Sequence, residues 1–140
     1  MIKAKYGSLR EKIRAEKMER AERYQEFAGL FDAAYSAGLR AGAQHKPKPM
    51  HVYDGFSRQH IETVSDGMCG FAWVKIRPAT SSFARWLVKQ GIARAAYTGG
   101  IEIWISAHNQ SYERKLAHAR AMAEHFRANG VNAYADGRLD

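Results

Sequence analysis

Residues 70–78, GFAWVKIRP, place two aromatic rings and two cations at every second position: Phe71, Trp73, Lys75 and Arg77. Successive side chains of an extended strand point to opposite faces, so these four share one face while Ala72, Val74 and Ile76 share the other. The second set is ordinary core material. The first set offers ring faces on which a planar group stacks and cations that hold an anion. A base stacked on an aromatic ring contributes roughly 1–3 kcal/mol with little sequence preference, and Lys or Arg on phosphates supplies the charge-dependent part of binding. These residue types point to a gripping surface rather than to bond-making chemistry.

Other reactive side chains form no catalytic pattern. The six histidines, at 45, 51, 60, 108, 118 and 125, include no HxxxH pair; His118 and His125 are seven apart with no accompanying Cys or carboxylate set, so no metal or other cofactor is expected. Cys69 has no CxxC partner and reads as a structural thiol. Ser57, Ser65 and Ser106 lack an elbow or triad context. The glycines of YTGGIE sit in a hairpin pattern and precede no helix, which argues against a phosphate loop. Glu102 and Glu113 make no evident acid–base pair. The expectation is a non-enzymatic protein.

Several elements must position the aromatic and cationic strand. From Cys69 onward the pattern reads strand, helix, hairpin, helix, strand. CGFAWVKIRP is a strand ended by Pro78. SFARWLVKQG is a helix with Thr80, Ser81 and Ser82 as N-cap candidates and Gly91 as its stop. ARAAYTGGIEIWIS is a hairpin, with strands near 93–97 and from Ile101 to Ser106 about the turn Thr98-Gly99-Gly100. Asn109 or Ser111 caps a helix with the stripe Tyr112, Leu116, Ala119, Met122 and Phe126, and VNAYAD is a last strand. This β-α-β-β-α-β order predicts an α+β, ferredoxin-like sandwich over 69–140, with a four-stranded antiparallel sheet carrying both helices on one face. Alternation then assigns Phe71, Trp73, Lys75, Arg77, Trp104 and Tyr134 to the helix-free face.

A long helix over about residues 8–43 precedes this unit, opened by the capping-box pattern Ser8/Glu11 and closed by the prolines of HKPKPM. Its first half is charged on most sides, with Glu16–Arg20 and Glu19–Arg23 in the order that favours ion pairing. Its second half carries Tyr24, Phe27, Leu30, Phe31 and Tyr35, and Ala34, Gly38 and Gly42 invite close approach of another backbone. The organisation is thus 1–48, long helix and Pro linker; 49–68, an irregular connection in which MHVYDG and HIETV form short strands; and 69–140, the α+β domain. The long helix has two places to bury its stripe: across the helix-free face of the sheet, which would hide the aromatics there, or against a second copy in a homodimer.

Lys and Arg number 22 against 14 Asp and Glu, a formal net charge of +8, shared between the two halves. That balance favours acidic partners such as nucleic acid. Apolar residues at 46% allow a real core and exclude a disordered chain. One cysteine excludes a disulfide framework and fits a reducing compartment. MIKAKYGSLREK has no leader pattern and no segment is apolar enough for a membrane span, so a cytoplasmic protein without a membrane partner is expected.

The segments CGFAWVKIRPATSSFARWL, GGIEIWIS and NQSYERKLAHARAMAEHFRANGVNAYADGRLD resemble small proteins of tailed bacteriophages and prophages, over about residues 67–140. The resemblance implies an accessory protein acting in a bacterial host cytoplasm and carries no catalytic residue with it. The expected function is binding of DNA or RNA through a basic and aromatic surface. Lys75, Arg77, Arg85, Lys89, Arg94, Arg114, Lys115, Arg120, Arg127 and Arg138 would contact phosphates, and Trp73, Trp104 and Tyr134 would stack or pack. RNA-recognition modules of this topology use such a face, although their octamer motif is absent from GGIEIWIS. The alternatives are an anti-defence protein, of anti-CRISPR or anti-restriction type, that inhibits a host protein or nucleoprotein complex, and a structural dimer built through the long helix.

Overall fold

The computed structural model describes residues 8–140; the stretch 1–7, part of the segment read above as lacking a leader pattern, lies outside the described residues. Ser8 opens the first helix, its hydroxyl accepting the Glu11 N–H at 3.2 Å. This satisfies one of the donors a helix start leaves free. Helix α1 then runs Leu9–Gln44, and the chain turns extended at His45 ahead of the two prolines. Strands β1 (Met50–Tyr53) and β2 (His60–Val64) follow as an antiparallel hairpin of their own. Next come β3 (Gly70–Ile76), α2 (Ser82–Lys89), β4 (Arg94–Ala95), β5 (Ile101–Trp104), α3 (Tyr112–Ala128) and β6 (Ala133–Leu139). The four later strands form one sheet in the order β4-β5-β3-β6, every pairing antiparallel. The fold is α+β, with three helices, a two-stranded sheet and a four-stranded sheet. No helix among the described residues is long and apolar enough to cross a membrane.

Ser81 caps α2 and Ser111 caps α3; each hydroxyl accepts a backbone N–H three residues on, at 3.2 and 3.3 Å. The second hairpin is shorter than its pattern suggested. β4 holds two residues, because after Ala95 the backbone is taken up by the turn: Ala96 N–H donates to Gly100 C=O and Gly99 N–H to Ala96 C=O. Gly99 and Gly100 adopt φ of 94° and 68°, which side-chain-bearing residues rarely do.

One face of the sheet is buried as the alternation requires. Val74, Ile76, Ile101, Ile103 and Ala133 pack against Leu87, Ala119, Met122 and Phe126 in a single core. Helix α1 lies on the helical side too, against α3 and α2, and does not cross the free face of the sheet. Its second half enters the same core. Phe27 meets Phe83 and Trp86 at 5.3 and 5.9 Å between ring centres, and Tyr35 meets the edge of His118 at 5.0 Å. Ala34, Gly38 and Gly42 are buried where α1 packs closely on α3, and the atoms nearest the two glycines are side chains. A methyl group at Gly38 would collide with His118 and Met122, and one at Gly42 with His108. The first half of α1 stays exposed, Leu9, Ile13 and Met18 included. The expected pairs Glu16–Arg20 and Glu19–Arg23 do not come within ion-pair distance.

Candidate functional site

The free face of the four-stranded sheet is built around stacked rings. Trp73 and Trp104 are directly opposite on β3 and β5, and their rings stack at 4.8 Å with 20° between planes. Phe71 lies one step along, 5.8 Å from Trp104. All three are half-buried. Two guanidinium groups lie over this row. Arg94, from the edge strand β4, sits 4.3 Å above the Trp104 ring, and Arg138, opposite Phe71 on β6, sits 5.4 Å above the Phe71 ring. Among the described residues neither arginine makes a side-chain hydrogen bond or an ion pair. A guanidinium stacked on a ring keeps its in-plane N–H donors free for a phosphate. A hollow of about 180 Å³, lined by Ile92, Arg94, Glu102 and Trp104 among others, opens beside the stack.

Lys75 has a different task from the one its position suggested. It is 4% exposed. Its ammonium donates to Thr98 Oγ1 and to the Gly99 carbonyl at 2.9 Å, and lies 3.5 Å from Glu102. Two hydrogen bonds and an ion pair therefore hold the ammonium, so Lys75 ties the β4–β5 turn to the sheet rather than facing a ligand. Glu102 is equally committed, since it also accepts the Trp104 indole N–H at 3.2 Å. The charges of Lys75 and Glu102 cancel within the face. The other charges around it are Arg77, Arg94, Arg138 and Lys115, opposed by the exposed carboxylate of Asp136, opposite Trp73 on β6. The Trp73 indole N–H is buried without a hydrogen-bond partner among the described residues.

The remaining sequence candidates are dispersed. Arg77 is exposed beyond the end of β3 and donates to the Thr98 carbonyl at 3.2 Å. Arg114 is a clasp: it donates to the carbonyls of Gly42 and Ala43 at the end of α1 and lies 3.5 Å from Asp66. Lys115 is 6% exposed and its ammonium lies 5.9 Å from the Phe71 ring. Arg120 and Tyr134 meet at the β6 edge around a hollow of about 390 Å³ that Arg127 also lines. Arg127 is tied to the Ala133 carbonyl at 2.8 Å. Arg85 and Lys89 lie on the helical side, facing α1. Tyr97, fully exposed at the tip of the β4–β5 turn, was missed; an aromatic inside a Gly-rich turn was the available signal.

Two histidine clusters lie elsewhere. His51, His60 and Thr63 interact on the β1–β2 hairpin, with the two ring nitrogens 3.3 Å apart. His108 Nε2 and His118 Nδ1 are 2.9 Å apart under α1. Burial, and then the neighbouring His108, pushes His118 down to about 4; burial and then Arg114 and Lys115 lower His108. Among the described residues no three of His, Cys, Asp and Glu converge as a metal site would require. Comparison with known proteins returns no matching family model, no matching curated protein and no matching solved structure.

Proposed function

We propose that this chain is a non-enzymatic nucleic-acid-binding protein that uses the free face of its four-stranded sheet as the platform. The observation that carries this reading is the placement of α1. The helix packs on α3 and α2, and no element of the described residues covers the row Phe71, Trp73 and Trp104, which has Arg94 and Arg138 over its rings. Aromatic rings for bases and unpaired guanidinium groups for phosphates are the two parts of a single-strand platform. The strand order β4-β5-β3-β6, antiparallel throughout with α2 and α3 as its connections, supports the ferredoxin-like reading of residues 69–140. A phage or prophage accessory role in a bacterial cytoplasm rests on the resemblance of that same half.

The test is fluorescence anisotropy with random single-stranded and duplex oligonucleotides over a salt series. Affinity is expected to fall with salt. Arg94→Ala/Arg138→Ala should flatten the log–log slope by about 1.4–1.8, two contacts' worth, while the fold is retained. Absence of any salt-dependent affinity would sink the proposal and leave the protein-binding inhibitor as the better reading.

A further inference from the structure

A second cationic site lies on the helical side of the molecule, where α1 meets α2. Arg20 and Arg23 of α1 stand three residues apart, Arg85 and Lys89 of α2 four apart, and these spacings bring each pair to one helix face. The four line a cleft of about 200 Å³ together with Tyr24 and Trp86. All four cations are exposed. Among the described residues none has a carboxylate within ion-pair distance, and Glu16 and Glu19 do not reach their expected arginines. The Lys89 ammonium lies 6.0 Å from the Tyr24 ring, so it spans the cleft from one helix to the other. The inner end of the cleft is held: Phe27, which also lines it, is wedged against both Phe83 and Trp86. Four like charges around one concavity repel one another, and only an anion reverses the sign of that interaction.

The geometry points to a binding site for a phosphate-bearing anion of at least two charges in the α1–α2 cleft. At about 200 Å³ the cleft is large enough for adjacent phosphates. Guanidinium forks on opposite walls match phosphate oxygens better than a lone ammonium could. The phosphates come from a free nucleoside polyphosphate or from a nucleic-acid strand. This inference does not rest on the sheet-face reading, because its residues are different and lie on the other side of the sheet.

The experiment is calorimetric titration of the full chain with sodium pyrophosphate at low, constant ionic strength. Wild type is expected to bind saturably. Arg23→Gln/Arg85→Gln should weaken binding by about tenfold or more, since it removes two charge-assisted contacts. Its melting temperature checks that the variant is folded; Arg20→Gln/Lys89→Gln, in the same cleft, serves if it is not. Displacement of pyrophosphate by a single-stranded oligonucleotide identifies a strand as the source. Displacement by a nucleoside triphosphate, and not by the oligonucleotide, identifies a free nucleotide. Either supports the site. No saturable binding by wild type, or binding that both folded cleft variants retain in full, overturns it, whatever the sheet-face variants do to oligonucleotide affinity.

Discussion

The two faces of the four-stranded sheet are made by alternate residues of the same strands, and they solve opposite problems. The helical face buries Val74, Ile76, Ile101 and Ile103 under α2 and α3, and α1 packs on those helices in turn. The free face leaves Phe71, Trp73 and Trp104 half-buried beneath arginines that have no ion-pair partner among the described residues. Aliphatic side chains seal the first because nothing needs to leave it or enter it. Rings and guanidinium groups suit the second, since each keeps a face or a set of donors for something else. Under the proposed function, the comparison assigns stability to one strand parity and recognition to the rings and arginines of the other, with Lys75 as the structural exception.

If that separation is real, the largest stability loss belongs to the helical side. Phe126 is fully buried and meets Phe83 edge-on at 5.6 Å. Phe126→Ala should cost about 3–5 kcal/mol in urea unfolding and leave any oligonucleotide affinity of the folded fraction intact. Loss of affinity in a folded Phe126→Ala variant would erase the distinction between the faces.

A slightly smaller effect comes from His118, also fully buried on that side. Its native pKa is about 4 against an ordinary 6.5, so between these values the unfolded chain binds a proton that the folded chain refuses. Stability is therefore fully present above about pH 6.5 and falls as pH drops toward 4. The loss from this group approaches about 3 kcal/mol. The lowered pKa of His108 acts in the same direction; Asp54, held down by the Phe56 and Ser57 N–H groups, adds stability that is lost only as pH falls below the ordinary carboxylate value of 3.8. Urea midpoints at pH 7.5 and 4.5 measure the loss, and His118→Asn should shrink it. An unchanged difference would place the acid sensitivity elsewhere.

The smallest stability effect is expected on the free face. Trp73→Ala removes one stacked partner and should cost about 0.5–1.5 kcal/mol beyond the apolar area lost. It should weaken oligonucleotide binding at every salt concentration without altering the slope, because stacking releases no counterions. A Trp73→Ala variant as unstable as Phe126→Ala would make the free face a second core.

Much of this contrast was legible in the sequence. Period-two alternation gave the right parity for β3, β5 and β6; Ser8 marked the first helix start, while Ser81 and Ser111 were each one of several cap candidates that the pattern left open. The docking of α1 was not legible. Tyr24, Phe27, Leu30, Phe31 and Tyr35 announce an apolar stripe, but a stripe does not say which surface covers it. That depended on the shape of α3, where His118 and Met122 fill the space left by Gly38. Nor did parity decide what the cations do. Lys75 faces the predicted way and still turns its ammonium inward, because a flexible four-carbon stem reaches the Thr98-Gly99 turn that an alternation pattern cannot see. Arg114 is spent on α1 carbonyls for a similar reason.

Helix α1 is continuous over 36 residues, roughly 54 Å, yet its two halves belong to different thermodynamic units. Around Ala34, Gly38 and Gly42 its backbone is locked to α3, so amide hydrogens there can exchange with solvent only when the core itself opens. Over the turns that carry Leu9, Ile13 and Met18 no tertiary packing supports the helix, and isolated helical turns are marginal in water. Those turns can melt and re-form many times for each global unfolding event. The junction between the two regimes falls near Arg20 and Arg23, so the outer wall of the α1–α2 cleft is the last turn to be held and the first to be released.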